Sequence, residues 1–196
     1  MEEIRSFVAI ELPDDLRGWL AQLQNRLRKE GQAPAKWVDP YGIHLTLKFL
    51  GNVPVNKIDD ITRAVVAAAQ EVCPFQLNVK DLGVFPNLRR VQVVWVGLDG
   101  ELDKLNQLQQ CIDLNLVPLG YASETRPFVA HLTLARVREY VPPEERQKLG
   151  QLVASTKIET IYSFNVDAIN IMRSQLTREG AIYSRIASVS LKTPCK

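Results

Sequence analysis

The chain has 196 residues, 46% of them hydrophobic and 23% charged, the profile of an ordinary globular protein long enough to bury a core. Its net charge of +2 is too small to mark a general nucleic-acid coat, so any basic character must be local. Three cysteines without a paired spacing (Cys73, Cys111, Cys195) argue against a disulfide framework and against a zinc site, and fit a reducing compartment.

Ser6 to Ile10 reads as a buried strand. Pro13 and Asp14 then open a helix whose Leu16, Trp19, Leu20, Leu23 and Leu27 fall at helical spacing, with Gly31 as its stop. Gly42 to Leu50 reads as a strand, closed by a Gly51-Asn52 turn. A second helix is expected near Asn56 to Val72. Strands follow at Phe75 to Val84 and Val91 to Leu98, with a turn at Pro86-Asn87. A third helix is expected near Glu101 to Leu114 and a strand at Phe128 to Ala135. A fourth helix begins at Pro142-Pro143-Glu144. Phe164 to Met172 and Ile182 to Val189 are the closing strands, joined through Gly180. Several strands are consecutive, so α+β fits better than a doubly wound sheet. No low-complexity linker divides residues 1–196, which read as one domain. The first residues lack the layout of a signal peptide and no apolar run reaches the ~18 residues of a membrane span. A cytoplasmic protein without membrane association is expected.

The sharpest feature is a repeated tetrapeptide. His44-Leu45-Thr46-Leu47 and His131-Leu132-Thr133-Leu134 lie 87 residues apart and contain the only two histidines. Each alternates polar and apolar, so on a strand His and Thr share one face while the leucines point to a core. A lone strand histidine is usually packed or solvated. Two copies of one string, with no other histidine, reverse that reading. Two imidazoles and two hydroxyls suit acid–base chemistry on a phosphate: one histidine accepts the proton of the attacking oxygen, the other protonates the leaving oxygen, and the threonines hold phosphate oxygens. No metal is required. The spacing also suggests two equivalent lobes, each presenting one histidine. Strict alternation puts Lys48 on the His44 face. Arg126 and Arg136, each five residues from His131, fall on the opposite face unless a bulge or a strand end re-aims them. Both remain phosphate candidates because a guanidinium can grip phosphate with two hydrogen bonds. Phe7, Phe49, Trp95 and Phe128 are the aromatic candidates for stacking a base.

Trp37-Val38-Asp39-Pro40 leading to His44-Leu45-Thr46-Leu47-Lys48-Phe49-Leu50-Gly51, and the segment from Arg126 to Arg136, resemble the two motif regions of a known family. It is the bacterial and archaeal RNA 2′,3′-cyclic phosphodiesterases, also called 2′-5′ RNA ligases, within the two-histidine (2H) phosphoesterase superfamily. Phe7 to Pro13, Gly83 to Asn87, Trp95 to Leu98 and Ile171 to Ser174 through Gly180 and Tyr183 extend the resemblance over nearly the whole chain. It implies a bilobal α+β fold with two pseudo-symmetric antiparallel-sheet lobes, outer helices and a central cleft. It implies hydrolysis of RNA 2′,3′-cyclic phosphate ends to 2′-phosphate ends without a metal; a small cyclic nucleotide is the other expected substrate, and a monomer without cofactor is expected. His44 would be the proton donor and His131 the proton acceptor. Thr46, Thr133 and Arg136 would bind phosphate, with Arg126 as a further candidate. Val129-Ala130 stands where relatives often carry a proline before the second histidine. Physiological 2′-5′ ligation is the same chemistry reversed, and an RNA-end binding module with weak catalysis is the alternative from another class. RNA affinity should be modest, salt-sensitive and dominated by the terminal nucleotide.

Overall fold

Leucines at helical spacing and alternating apolar residues give this chain two kinds of apolar surface to cover: helix stripes and sheet faces. The structure, a computed structural model, describes residues 2–31, 35–158, 162–177 and 180–193. In chain order the elements are β1 (Glu3–Glu11), α1 (Asp14–Gly31), β2 (Ala35–Trp37), β3 (His44–Pro54), α2 (Ile58–Ala69), β4 (Phe75–Phe85), β5 (Val93–Gly100), α3 (Leu102–Leu116), β6 (His131–Val137), α4 (Pro143–Ser155), β7 (Tyr162–Val166), β8 (Ala168–Leu176) and β9 (Ala181–Ser190). Short 3-10 turns precede β3 and α2 and follow α3.

Two antiparallel sheets result, confirming the α+β expectation. The first has the order β3-β1-β8-β9 and the second β2-β6-β5-β4-β7. One hydrophobic cluster joins them to the helices. It takes Leu16, Leu20 and Leu27 from α1, Ile61 and Val65 from α2, Leu105, Leu108 and Ile112 from α3, and Leu149 and Val153 from α4. Within α1, acidic Asp14 and Asp15 in the first turn and basic Arg28 and Lys29 in the last complement the helix dipole.

Three expectations need correcting. Gly51-Asn52 does not close β3. The strand runs on to Pro54, pairing Gly51 with Ser6 and Asn52 with Arg5, and Gly51 takes a φ of +72° beside an unpaired Leu50. That left-handed conformation is why a turn-like residue sits inside a strand. Phe164 to Met172 is two strands, not one. Val166 pairs with Phe75 in the second sheet and Ala168 with Ser190 in the first, so the chain changes sheets at Asp167. Apolar Phe164, Val166 and Ala168 keep a period of two straight across Asp167, so the pattern cannot announce such a switch. Residues 128–130 precede the strand that was expected to include them. The three-residue β2 was not anticipated, being too short to show a period. Cys195 lies outside the described residues.

The two sheets are built alike. In each, the strand carrying a histidine pairs antiparallel with a central strand: β3 with β1, and β6 with β5. Each His strand also carries an unpaired residue directly after its threonine. Thr46 faces Ala9 and Lys48 faces Val8, leaving Leu47 unpaired. Thr133 faces Trp95 and Ala135 faces Val94, leaving Leu134 unpaired.

The bulge at Leu134 is tied down. Its carbonyl accepts hydrogen bonds from the Val38 backbone N–H (2.9 Å) and from Gln24 Nε2 (3.0 Å), and Gln24 Nε2 also donates to the Val38 carbonyl (2.8 Å). Gln24 is only 2% exposed, so water does not replace it. Gln24→Leu should therefore cost about 1–3 kcal/mol, read as a lower denaturation midpoint with an unchanged slope.

Candidate active site

His44 and His131 open β3 and β6, which pack beside one another although they belong to different sheets. The alternation read from the sequence holds up to the bulges. Leu45, Leu47, Leu132 and Leu134 are buried, while His44, Thr46, His131 and Thr133 are partly exposed on the other face. Each imidazole is held in the same way. His44 Nδ1 lies 2.7 Å from the Gly42 carbonyl, and His131 Nδ1 lies 2.7 Å from the Val129 carbonyl, two residues back in both cases. A carbonyl can only accept, so Nδ1 carries the hydrogen and Nε2 is left as the reactive nitrogen of each neutral ring. The Thr46 and Thr133 hydroxyls make no hydrogen bond to another described residue.

Beyond the threonines the bulges decide what faces the site. In β6 the unpaired Leu134 reverses the alternation, so exposed Arg136 joins the face of His131 and Thr133 while Ala135 is buried. In β3 the same reversal exposes Phe49 and buries Lys48. The expectation for Lys48 is thus overturned. It is 4% exposed, ion-pairs with Asp113 of α3 and donates to the Ala122 carbonyl (2.6 Å). Burial alone would raise the Asp113 pKa, but hydrogen bonds from Lys48 and Ser123 and the lysine's charge leave it lowered. Arg126 is exposed in the segment before β6. It lines a depression with Asn106, Gln109 and Gln110 of α3.

The histidines sit among aromatic rings. Phe7 stacks on His44 at 4.6 Å, and Tyr183 meets it edge-on at 4.8 Å. Around His131 lie Phe85 at 5.1 Å and Trp95 at 6.3 Å. Trp95 occupies the space above Gly83, where a Cβ would stand 2.2 Å from the indole ring, so no larger residue fits there without moving the tryptophan. Of the four aromatic candidates, Phe7 is buried and Phe128 packs against the core, whereas Phe49 is 63% exposed on the site face.

Sequence reasoning missed Glu11, which pairs across the ladder with His44. Its Oε2 accepts from Arg185 Nε (2.7 Å) and Asn170 Nδ2 (2.8 Å), and its Oε1 lies 3.6 Å from Arg17. The signal was present, since Glu11 continues the alternate face of Phe7 and Ala9, but nothing local showed which face lines a site. Burial lowers the pKa of His44 below its usual 6.5, and Arg136 and Arg17 lower it further. The Gly42 hydrogen bond and Glu11 act in the opposite sense. β3 and β6 pack beside one another, so Arg136 of the second sheet bears on His44 of the first.

Comparison with known proteins agrees with this architecture. The family described as LigT-like phosphoesterase matches the chain twice, over residues 10–95 and 96–183, each match containing one His-Leu-Thr-Leu string. The chain is 34% identical over 182 residues to an RNA 2′,3′-cyclic phosphodiesterase of Methanothermobacter thermautotrophicus, covering 93% of this chain and 96% of that one. It is 31% identical over 180 residues to one of Thermotoga maritima, covering 92% and 91%. The crystal structure of E. coli LigT complexed with 3′-AMP superposes with a TM-score of 0.77 at 25% identity, covering 98% of this chain and all of that one.

An NMR titration checks the electrostatics. The His44 ring of the free protein should titrate below 6.5, and Arg136→Ala should move it upward, because removing a nearby cation favours the imidazolium. A folded-state pKa below the unfolded one means that the stability from this group is present above about 6.5 and is lost as the pH falls through the lowered value.

Proposed function

The chain belongs to the LigT-like phosphoesterase family, and from that premise we propose that it hydrolyses RNA 2′,3′-cyclic phosphate ends to 2′-phosphates. The observation that carries this reading is the pair of Nδ1-anchored imidazoles on converging strands, each followed at i+2 by an unengaged threonine hydroxyl. The cyclic phosphate sits between the strands with its oxygens on Thr46, Thr133 and Arg136. Charge-assisted hydrogen bonds of this kind contribute about 1.5–3 kcal/mol each. Arg126 is a further phosphate ligand only for a substrate that extends toward α3.

Water attacks phosphorus and gives its proton to His131 Nε2. The bond from phosphorus to the 3′ oxygen breaks, and that oxygen takes a proton from His44 Nε2. One water is consumed and one ester bond lost. His44 ends neutral and His131 protonated, and exchange with solvent resets both. Burial of His44 disfavours its imidazolium in the free protein. The negative charge of a bound phosphate opposes that penalty, so substrate itself brings the acid into its working form. Phe49, exposed beside Thr46, offers a ring face for a base.

The test is incubation with an RNA ending in a 2′,3′-cyclic phosphate in the presence of EDTA, with identification of the terminal phosphate. The expected product is the 2′-phosphate, with turnover unaffected by the chelator. His44→Ala and His131→Ala should each lose about 10²–10⁴ in rate. Thr46→Val and Thr133→Val should lose less, mainly through weaker binding. A 3′-phosphate product, or full activity in either alanine variant, refutes the mechanism.

A further inference from the structure

At the end of the first sheet remote from His44, an open depression of about 420 Å³ is lined by Glu3, Arg5, Asn52, Arg173 and Ser174 among others. We infer that this depression is a subsite for a backbone phosphate of RNA upstream of the cyclic end. The inference rests on the reading above, that the substrate is an RNA terminus.

Position is the first argument. Along β1 the residues sharing the site face are Glu11 opposite His44, Ala9 opposite Thr46, Phe7 opposite Phe49 and Arg5 opposite Asn52. The neighbouring β8 continues this face, with Met172 opposite Phe7 and Ser174 two residues on, while Arg173, opposite Ser6, leaves from the other face at the last β1–β8 pair. The depression therefore continues the surface that carries His44 and Thr46, with exposed Phe49 between them. Arg5 lies four residue steps along β1 from Ala9, about 13 Å at ~3.3 Å per residue. That is too far for the phosphate held at Thr46, but within the span of a short oligonucleotide whose base stacks on Phe49.

Chemistry is the second argument. Among the described residues neither Arg5 nor Arg173 makes an ion pair or a side-chain hydrogen bond, although Glu3 lines the same depression. Arg17 and Arg185, nearer His44, are both engaged by Glu11. The unengaged Arg5 guanidinium on this face, with Asn52 and Ser174 beside it and Arg173 adding an unpaired charge from the other face of β8, offers donors suited to a phosphate. The competing exit is the turn between β4 and β5, where Arg89 and Arg90 are exposed at the corresponding end of the second sheet.

The experiment compares binding and turnover of a mononucleotide and a short oligonucleotide. Binding is read with a nucleoside 3′-phosphate and with an RNA oligonucleotide carrying a 3′-phosphate. Turnover is read with the corresponding 2′,3′-cyclic forms. Arg5→Ala/Arg173→Ala changes only exposed side chains. It should weaken oligonucleotide binding and its kcat/KM about tenfold, leave the mononucleotide unchanged, and flatten the salt dependence by roughly one phosphate contact, ~0.7 in log–log slope. Arg89→Ala/Arg90→Ala should change neither. Equal losses on both substrates, no loss, or a loss confined to the Arg89/Arg90 variant overturns the subsite. Wild-type protein that binds the oligonucleotide through Arg5 and Arg173 but turns over neither cyclic substrate would instead overturn the hydrolytic reading and leave the subsite standing.

Discussion

Each histidine strand carries an extra, unpaired residue directly after its threonine, Leu47 in β3 and Leu134 in β6. Up to that residue the strands alternate strictly, which aims His and Thr at the site and two leucines at the core. After it the alternation inverts. The inversion turns Arg136 outward into the site and Lys48 inward beneath it, from positions whose parity predicts the reverse. A bulge leaves one residue without a ladder partner, and the bond it loses must be found elsewhere. At Leu134 the carbonyl finds it in Val38 and in the buried amide of Gln24, so α1 holds in place the irregularity that turns Arg136 onto the face of His131 and Thr133.

The inward turn of Lys48 ties the two motifs together. Lys48 stands four residues after His44, on the first sheet. Its ammonium is taken up by Asp113 of α3 and by the Ala122 carbonyl, and the other Asp113 oxygen accepts from the Glu124 backbone N–H (3.2 Å). Residues 122–124 lie in the segment that leads into β6 and His131. A buried charge left without its partner is strongly unfavourable, so this contact fixes the approach to the second motif relative to the first strand.

The likeness of the two halves stops at the histidine surroundings. The residue facing Thr46 is Ala9, and the residue facing Thr133 is Trp95. Glu11 faces His44, and Gly97 faces His131. Burial and neighbouring arginines lower the proton affinity of His44, with Glu11 partly offsetting them. One motif used twice thus gives two imidazoles with the same tautomer in different environments. The family also matches twice along the chain, yet the halves do not correspond to the sheets. The first match contributes β3 to one sheet and β4 to the other.

The sequence by itself determined the histidine–threonine pairs, the face each occupies, the helices and the α+β class. These rest on periods of two and 3.6 residues and on a repeated string, all of them local properties of the chain. The burial of Lys48, the turning of Arg136 onto the His131 face, the ion pairs of Glu11 and the change of sheet at Asp167 follow from long-range contacts. A bulge is fixed by hydrogen-bond partners distant in sequence: Gln24 reaches Leu134 across 110 positions. Glu11 meets Arg185 across 174. Side-chain parity can be counted along a strand only while the ladder stays regular, and whether it does depends on groups that folding alone brings near.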